Sequence, residues 1–186
     1  MAAYLIGVIY FRRRRAWLGY YLFATVGLTL ILVFGAQLTG LSGKIEYLVT
    51  WLTARASTLF GIQAQFLGQN ELMVSDKAGW VILRTTIECS ALIETSVLIA
   101  LVAFYPAFKW TKKVVILFFG LPITWLSNIV RLLIITGMTA FFGRQAVFFG
   151  HAIVGRFFFL VVTVALYWYI LTIPTVKHIG KSLEQG

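Results

Sequence analysis

The sequence predicts an all-α polytopic membrane protein with four to five transmembrane helices and a small outer β-hairpin unit. Three observations carry this. Of its 186 residues, 60% are hydrophobic and only 12% charged, with a mean hydropathy of +0.90, far more apolar than a soluble domain. The apolar residues lie in uncharged runs that approach or exceed the roughly 20 helical residues a bilayer needs. The basic residues cluster at the ends of those runs, as the positive-inside rule requires.

In chain order, Met1 to Phe11 is apolar but too short to cross a bilayer by itself, and reads as an interfacial helix or a curtailed span. Together with the basic block Arg12 to Arg15 it makes a segment over residues 1–15. Residues 16–38 run without a charge and form the first full span, entered from the cytoplasmic side. Nothing in this stretch has the shorter apolar core and clear small-residue cleavage site of a signal peptide. Gly40 and Gly43 mark the exit. Residues 44–60 follow as an outer amphipathic helix, with Ile45, Leu48, Val49, Leu52, Ala56, Leu59 and Phe60 at three-four spacing.

Residues 61–88 change character. Short runs such as Ile62 to Leu67, Leu72 to Val74 and Trp80 to Leu83 are separated by the turn signals Gly68-Gln69-Asn70 and Ser75 to Gly79, and read as an outer strand unit. Strands with open edges cannot sit in hydrocarbon, so this unit belongs on the water side. Three more spans follow, at 92–108, 114–142 (with a kink expected at Pro122) and 149–173. Lys109, Lys112 and Lys113 mark one cytoplasmic return, and Lys177 and Lys181 the other.

The net charge of +10 tests this map. The cytoplasmic segments hold nine of the sixteen basic residues and one acid, Glu184, so most of the excess sits on one face. Orientation and contact with anionic lipid account for it, and no nucleic-acid partner is expected. A single cysteine excludes an internal disulfide, a CxxC redox pair or a cysteine zinc site, so no metal or cofactor is expected either.

That cysteine, Cys89, stands where the polar strand unit gives way to a span. It is either a small packed hydrophobe or a reactive thiol. At about 1.5 Å of rise per residue, Cys89 lies roughly 30 Å above Lys109, Arg131 roughly 27 Å above Lys113, and His151 roughly 39 Å above Lys177, against a hydrocarbon core of about 30 Å. Three chemically distinct groups from three spans therefore reach the outer border. Each also has a plainer role: Arg131 snorkelling to headgroups, His151 as an interfacial residue, Asn128 either holding the guanidinium or making an interhelical contact. Glu88 caps or solvates the start of its helix, Glu94 is expected to pair with Arg84, Arg144 or Arg156, and His178 lies in the solvated basic tail. As chemistry, a thiol, an imidazole base and a guanidinium that meets an oxyanion suffice for acyl transfer through a thioester.

The chain resembles the exosortase/archaeosortase family of membrane-embedded cysteine transpeptidases, in its small, core-only form. The resemblance rests on Cys89-Ser90 at the outer start of a span after a short strand unit, Asn128-Ile129-Val130-Arg131 in the next span, and His151 with Gly155 at the start of the last. It covers roughly Gly61 to Ile173. It implies Cys89 as nucleophile, Arg131 as partner of the oxyanion or substrate carbonyl, and His151 as general acid and base, with Asn128 and Ser90 in support. It further implies an enzyme of the bacterial cytoplasmic membrane that cleaves a C-terminal sorting tail from exported proteins at the outer face. The trimmed protein would pass to a lipid or other envelope acceptor, in association with exopolysaccharide production. Two departures stand out: Ala91 follows Cys-Ser where the family pattern has glycine, and the amino-terminal segment is short, as for a reduced first span. The reading from a different class is a non-catalytic membrane scaffold or polysaccharide-export component in which Cys89 only packs.

Overall fold

The structure, a computed structural model, describes residues 4, 7–10, 17–76, 79–106 and 108–172. The expectations for Arg12 to Arg15, Lys177, His178 and Lys181, and for most of Met1 to Phe11, lie outside these. The elements are α1 (Trp17–Leu38), α2 (Leu41–Leu59), β1 (Ala64–Gly68), β2 (Glu71–Asp76), β3 (Gly79–Arg84), a 3₁₀ turn (Ile87–Cys89), α3 (Leu92–Phe104), α4 (Trp110–Phe142), α5 (Gln145–Phe149) and α6 (Gly155–Tyr167). A π-helical turn, Gly150–Val154, joins α5 to α6, and a second, Trp168–Thr172, follows α6.

Among the described residues three helical runs are long and apolar enough to cross a membrane: Trp17–Leu38, Trp110–Phe142 and Gln145–Ile170. Their surfaces are those of lipid-facing helices. Leu18 is 74% exposed and Phe118 70%, which in water would be a large unpaid hydrophobic cost. The fourth apolar helix, α3, has only 13 residues, about 20 Å at helical rise. It stops at Phe104, short of the expected Phe108, because Tyr105 is extended at φ −67°, ψ 117° and Pro106 disfavours helical geometry in the residue before it. Helix α4 begins at Trp110 and runs for 33 residues with Pro122 inside it, about 50 Å along its length, well over the thickness of the hydrocarbon core.

The strand unit is a three-stranded antiparallel meander in the order β1-β2-β3. Gln69 and Asn70 join β1 to β2 and both take positive φ, 49° and 66°, the conformation a two-residue hairpin loop demands. The Asn70 side chain then donates to Glu46 Oε2 at 2.8 Å, tying the sheet to α2. Burial raises the Glu46 pKa, and this hydrogen bond and the charge of Arg84 pull it back down.

Helix α2 shows where periodicity alone misleads. Its buried face is Val49, Thr50, Thr53, Ala54 and Ser57, whereas Leu48, Leu59 and Phe60 from the expected apolar face are exposed. Small side chains let the helix approach α4 and the sheet closely, as helices do in lipid, where large apolar residues lose nothing by facing out. The hydroxyls on this face bond back to their own helix, Thr53 to the Val49 carbonyl and Ser57 to that of Thr53, each at 2.8 Å. Two apolar clusters meet at Leu83. One holds Val49, Cys89, Leu132 and Ile135; the other holds Ala54, Ala64, Leu72 and Val74. The only cysteine thus lies where sheet, α2 and α4 converge.

Candidate functional site

The turn that carries Cys89 is built from short-range bonds. Cys89 N donates to the Thr86 carbonyl at 2.8 Å, and Ser90 Oγ to the Ile87 carbonyl at 2.7 Å. Ser90 Oγ also accepts the Leu92 amide at 3.4 Å, so Ser90 clamps the turn at the head of α3. Ala91 adopts the left-handed conformation, φ 57°, ψ 14°, which costs a residue with a Cβ roughly 1–2 kcal/mol and glycine far less. The glycine that the resemblance implies at this position would avoid that cost.

From α4, Asn128 is fully buried and its Nδ2 donates to the Cys89 carbonyl at 2.7 Å. Of its two open roles, the interhelical contact is the one observed, and it fixes the backbone of Cys89 itself. Asn128→Ala leaves that buried carbonyl without a donor, which costs about 1–3 kcal/mol. The expected result is a thermal midpoint lowered in detergent and a slower alkylation of Cys89, read by mass spectrometry; an unchanged midpoint would rule out this role.

His151 arrives on the π-helical turn. Such a turn holds an extra residue, shifts the side chains around it, and is frequent at functional sites. Cys89 Sγ and His151 Nε2 are 4.0 Å apart, and Thr86 Oγ1 donates to the same sulfur at 3.8 Å. Cys89 is 3% exposed. A cavity of about 270 Å³ lies over the pair, lined also by Thr50, Thr85, Thr136 and Arg84. The role of Thr86 escaped sequence reasoning, although its spacing, three residues before the cysteine across a turn, is that of a capping hydroxyl.

Arg131, 5% exposed, reaches the same turn from one helical turn beyond Asn128, with Nη1 3.4 Å from the Glu88 carbonyl and its guanidinium 5.4 Å from the Phe159 ring centroid. It lines a second groove of about 720 Å³, with Glu88, Glu94, Arg156 and Phe159, rather than the cavity shared by Cys89 and His151. The structure thus brings Cys89, His151, Asn128 and Ser90 to one turn and sets Arg131 behind it. Glu94 does not form the expected pair with Arg84, Arg144 or Arg156. Its Oε2 is buried without a hydrogen-bond partner, and the arginine whose charge acts on it is Arg131. Glu88 instead meets Arg156 at 3.9 Å, with both side chains mostly exposed, a pair of little energetic weight. Among the described residues no group of three or more His, Cys, Asp or Glu is placed to hold a metal ion.

A thiol beside an imidazole, under a cavity whose lining includes the cation Arg84, holds the two groups from which thiolate chemistry starts. The sequence model of the family described as "Transmembrane exosortase (Exosortase_EpsH)" matches residues 1–168. The chain belongs to the transmembrane exosortase family. No curated protein and no solved structure matches it. For this exosortase the matched region takes in the three long apolar helices almost entirely, the sheet, and every residue of the Cys89 turn.

Proposed function

We propose that this chain is a cysteine peptidase and transpeptidase of the bacterial cytoplasmic membrane, which removes C-terminal sorting tails from exported proteins through a thioester on Cys89 and passes the trimmed proteins to a lipid or other envelope acceptor. The observation that carries the reading is the 4.0 Å approach of Cys89 Sγ to His151 Nε2. On this reading the active site faces outward, the carboxyl terminus is cytoplasmic, and the processed proteins serve exopolysaccharide production.

His151 Nε2 takes the thiol proton, which requires the tautomer with the other proton on Nδ1. The thiolate adds to the scissile carbonyl, and Arg131, whose Nη1 lies 3.4 Å from the Glu88 carbonyl of the same turn, supplies positive charge toward the oxyanion. Collapse breaks the C–N bond, and His151 returns its proton to the departing amine. An acceptor amine or hydroxyl, or water, then attacks the thioester and gives its proton to His151, which hands it to the leaving sulfur. Asn128 and Ser90 keep the nucleophile's backbone still while its side chain reacts.

The test is a mass spectrum of a co-expressed exported protein that carries a transmembrane tail with a basic end. The tail is expected to be lost with the wild-type chain and kept with Cys89→Ala. Loss of the tail in both would overturn the proposal in favour of the scaffold reading.

A further inference from the structure

Of the two edge strands of the sheet, β3 is the one that leads to the cysteine. Among the described residues strand β3 pairs with β2 alone, in a register that matches Leu72 with Leu83 and Val74 with Val81. Thr85 N donates to the Asn70 carbonyl, which makes residues 70 and 85 a hydrogen-bonded pair. In an antiparallel ladder such pairs alternate, so Val81 and Leu83 spend their backbone groups on β2. The N–H and C=O groups of Trp80, Ile82 and Arg84 point the other way. Among the described residues no other backbone group bonds to them from that side.

Among the described residues this edge keeps apolar surface exposed. Trp80 is 54% and Ile82 58% exposed, although exposed apolar edge strands invite pairing and are commonly blunted. Alongside β3 lies a groove of about 970 Å³ whose opposite wall is Arg144, Val147, Phe148, His151 and Arg156. His151 and Ile82 also line the cavity over Cys89. The open edge, the groove and the thiol–imidazole pair are therefore one continuous surface.

We infer that β3 is the substrate platform: the polypeptide segment just before the scissile bond adds to its free edge as a fourth strand, parallel to β3, and is led by the strand into Cys89. The inference rests on the proposed peptidase reading, which leaves the tail beyond the bond in the membrane and the segment before it on the water side. Backbone pairing supplies affinity independent of side chains, and holds an otherwise mobile chain with its carbonyl near the sulfur. It also explains why an exposed sheet stands directly before the nucleophile. Recognition on this edge follows a period of two, since only alternate amides of the bound segment face β3.

The test uses the full chain in detergent and tetrapeptidyl chloromethyl ketones of simple apolar sequence, with iodoacetamide as a small thiol reagent. Each probe is made with one amide N-methylated in turn. N-methylation is expected to slow Cys89 alkylation about 3- to 10-fold at alternate positions, the cost of one lost hydrogen bond, and to do little at those between. Ile82→Pro, which removes an N–H from the open edge and not from the ladder with β2, is expected to lower the ratio of the peptidyl-probe rate to the iodoacetamide rate by a similar factor. Equal effects of N-methylation at every position, or a tetrapeptide no faster than a single-residue ketone, would overturn strand addition. If a second copy of the chain occupies the edge instead, Ile82→Cys gives a disulfide-linked dimer and the N-methyl series is flat, which also overturns it. The peptidase reading fails separately, when iodoacetamide reacts with Cys89 at the same rate in the wild type and in His151→Ala. The N-methyl series needs only the wild-type chain, so a poorly folding Ile82→Pro does not decide the outcome.

Discussion

His151→Ala is expected to lower the rate of tail removal by about 10²- to 10⁴-fold, the usual contribution of a positioned general acid and base. His151 Nε2 is the basic nitrogen 4.0 Å from Cys89 Sγ, while Thr86 Oγ1 offers that sulfur only a hydroxyl that cannot take its proton at neutral pH. Alkylation of Cys89 by an impermeant maleimide added from outside should slow as well, because the imidazole is the base placed to take the thiol proton. Arg131→Gln should slow it as well, by a smaller factor, since its Nη1 sits at the Glu88 carbonyl rather than at the sulfur. Equal labelling of wild type and His151→Ala would show that the two side chains are neighbours without chemistry.

Gly155→Ala is expected to be nearly as damaging without touching a reactive group. A Cβ at Gly155 would lie 2.9 Å from the Gly150 carbonyl oxygen and 3.0 Å from Ile135 Cδ1. The first contact is backbone, inside the π-helical turn that carries His151, so the turn must deform. Overpacking of this kind costs about 1–3 kcal/mol, and a displacement of about 1 Å at the imidazole can cost 10²-fold in rate. Tail removal should fall by at least that factor, with a lowered thermal midpoint in detergent. Gly150→Ala is the control, because its Cβ would meet the flexible Met138 side chain first, at 3.3 Å, and should be milder. A Gly155→Ala enzyme of normal rate would show that the turn tolerates the methyl group and that His151 does not depend on it.

Much of the fold can be read along the chain because it depends on local composition. Uncharged runs mark the long helices, since a bilayer selects for length and hydropathy whatever the packing. Gly68-Gln69-Asn70 marks the first hairpin, since few residues accept positive φ. The change from polar to apolar at Cys89 marks the head of a helix. The resemblance to exosortases is likewise a matter of order and spacing, and the family match agrees with it over residues 1–168.

Other features depend on packing between distant segments. The buried face of α2 is its small residues, because lipid is as apolar as a protein interior and hydrophobic periodicity no longer separates inside from outside. The π-helical turn at His151 has no sequence signature of its own; it exists where Gly155 lets the backbone approach Ile135 of α4. Asn128 serves the Cys89 carbonyl, 39 residues away in sequence, and not its helical neighbour Arg131. Composition and spacing were enough to say that Cys89, Arg131 and His151 lie near one depth. Only the tertiary structure decided that the thiol and imidazole share a cavity while the guanidinium stands behind the turn, because depth along a helix is a local quantity and the direction a side chain faces is set by what the helix packs against.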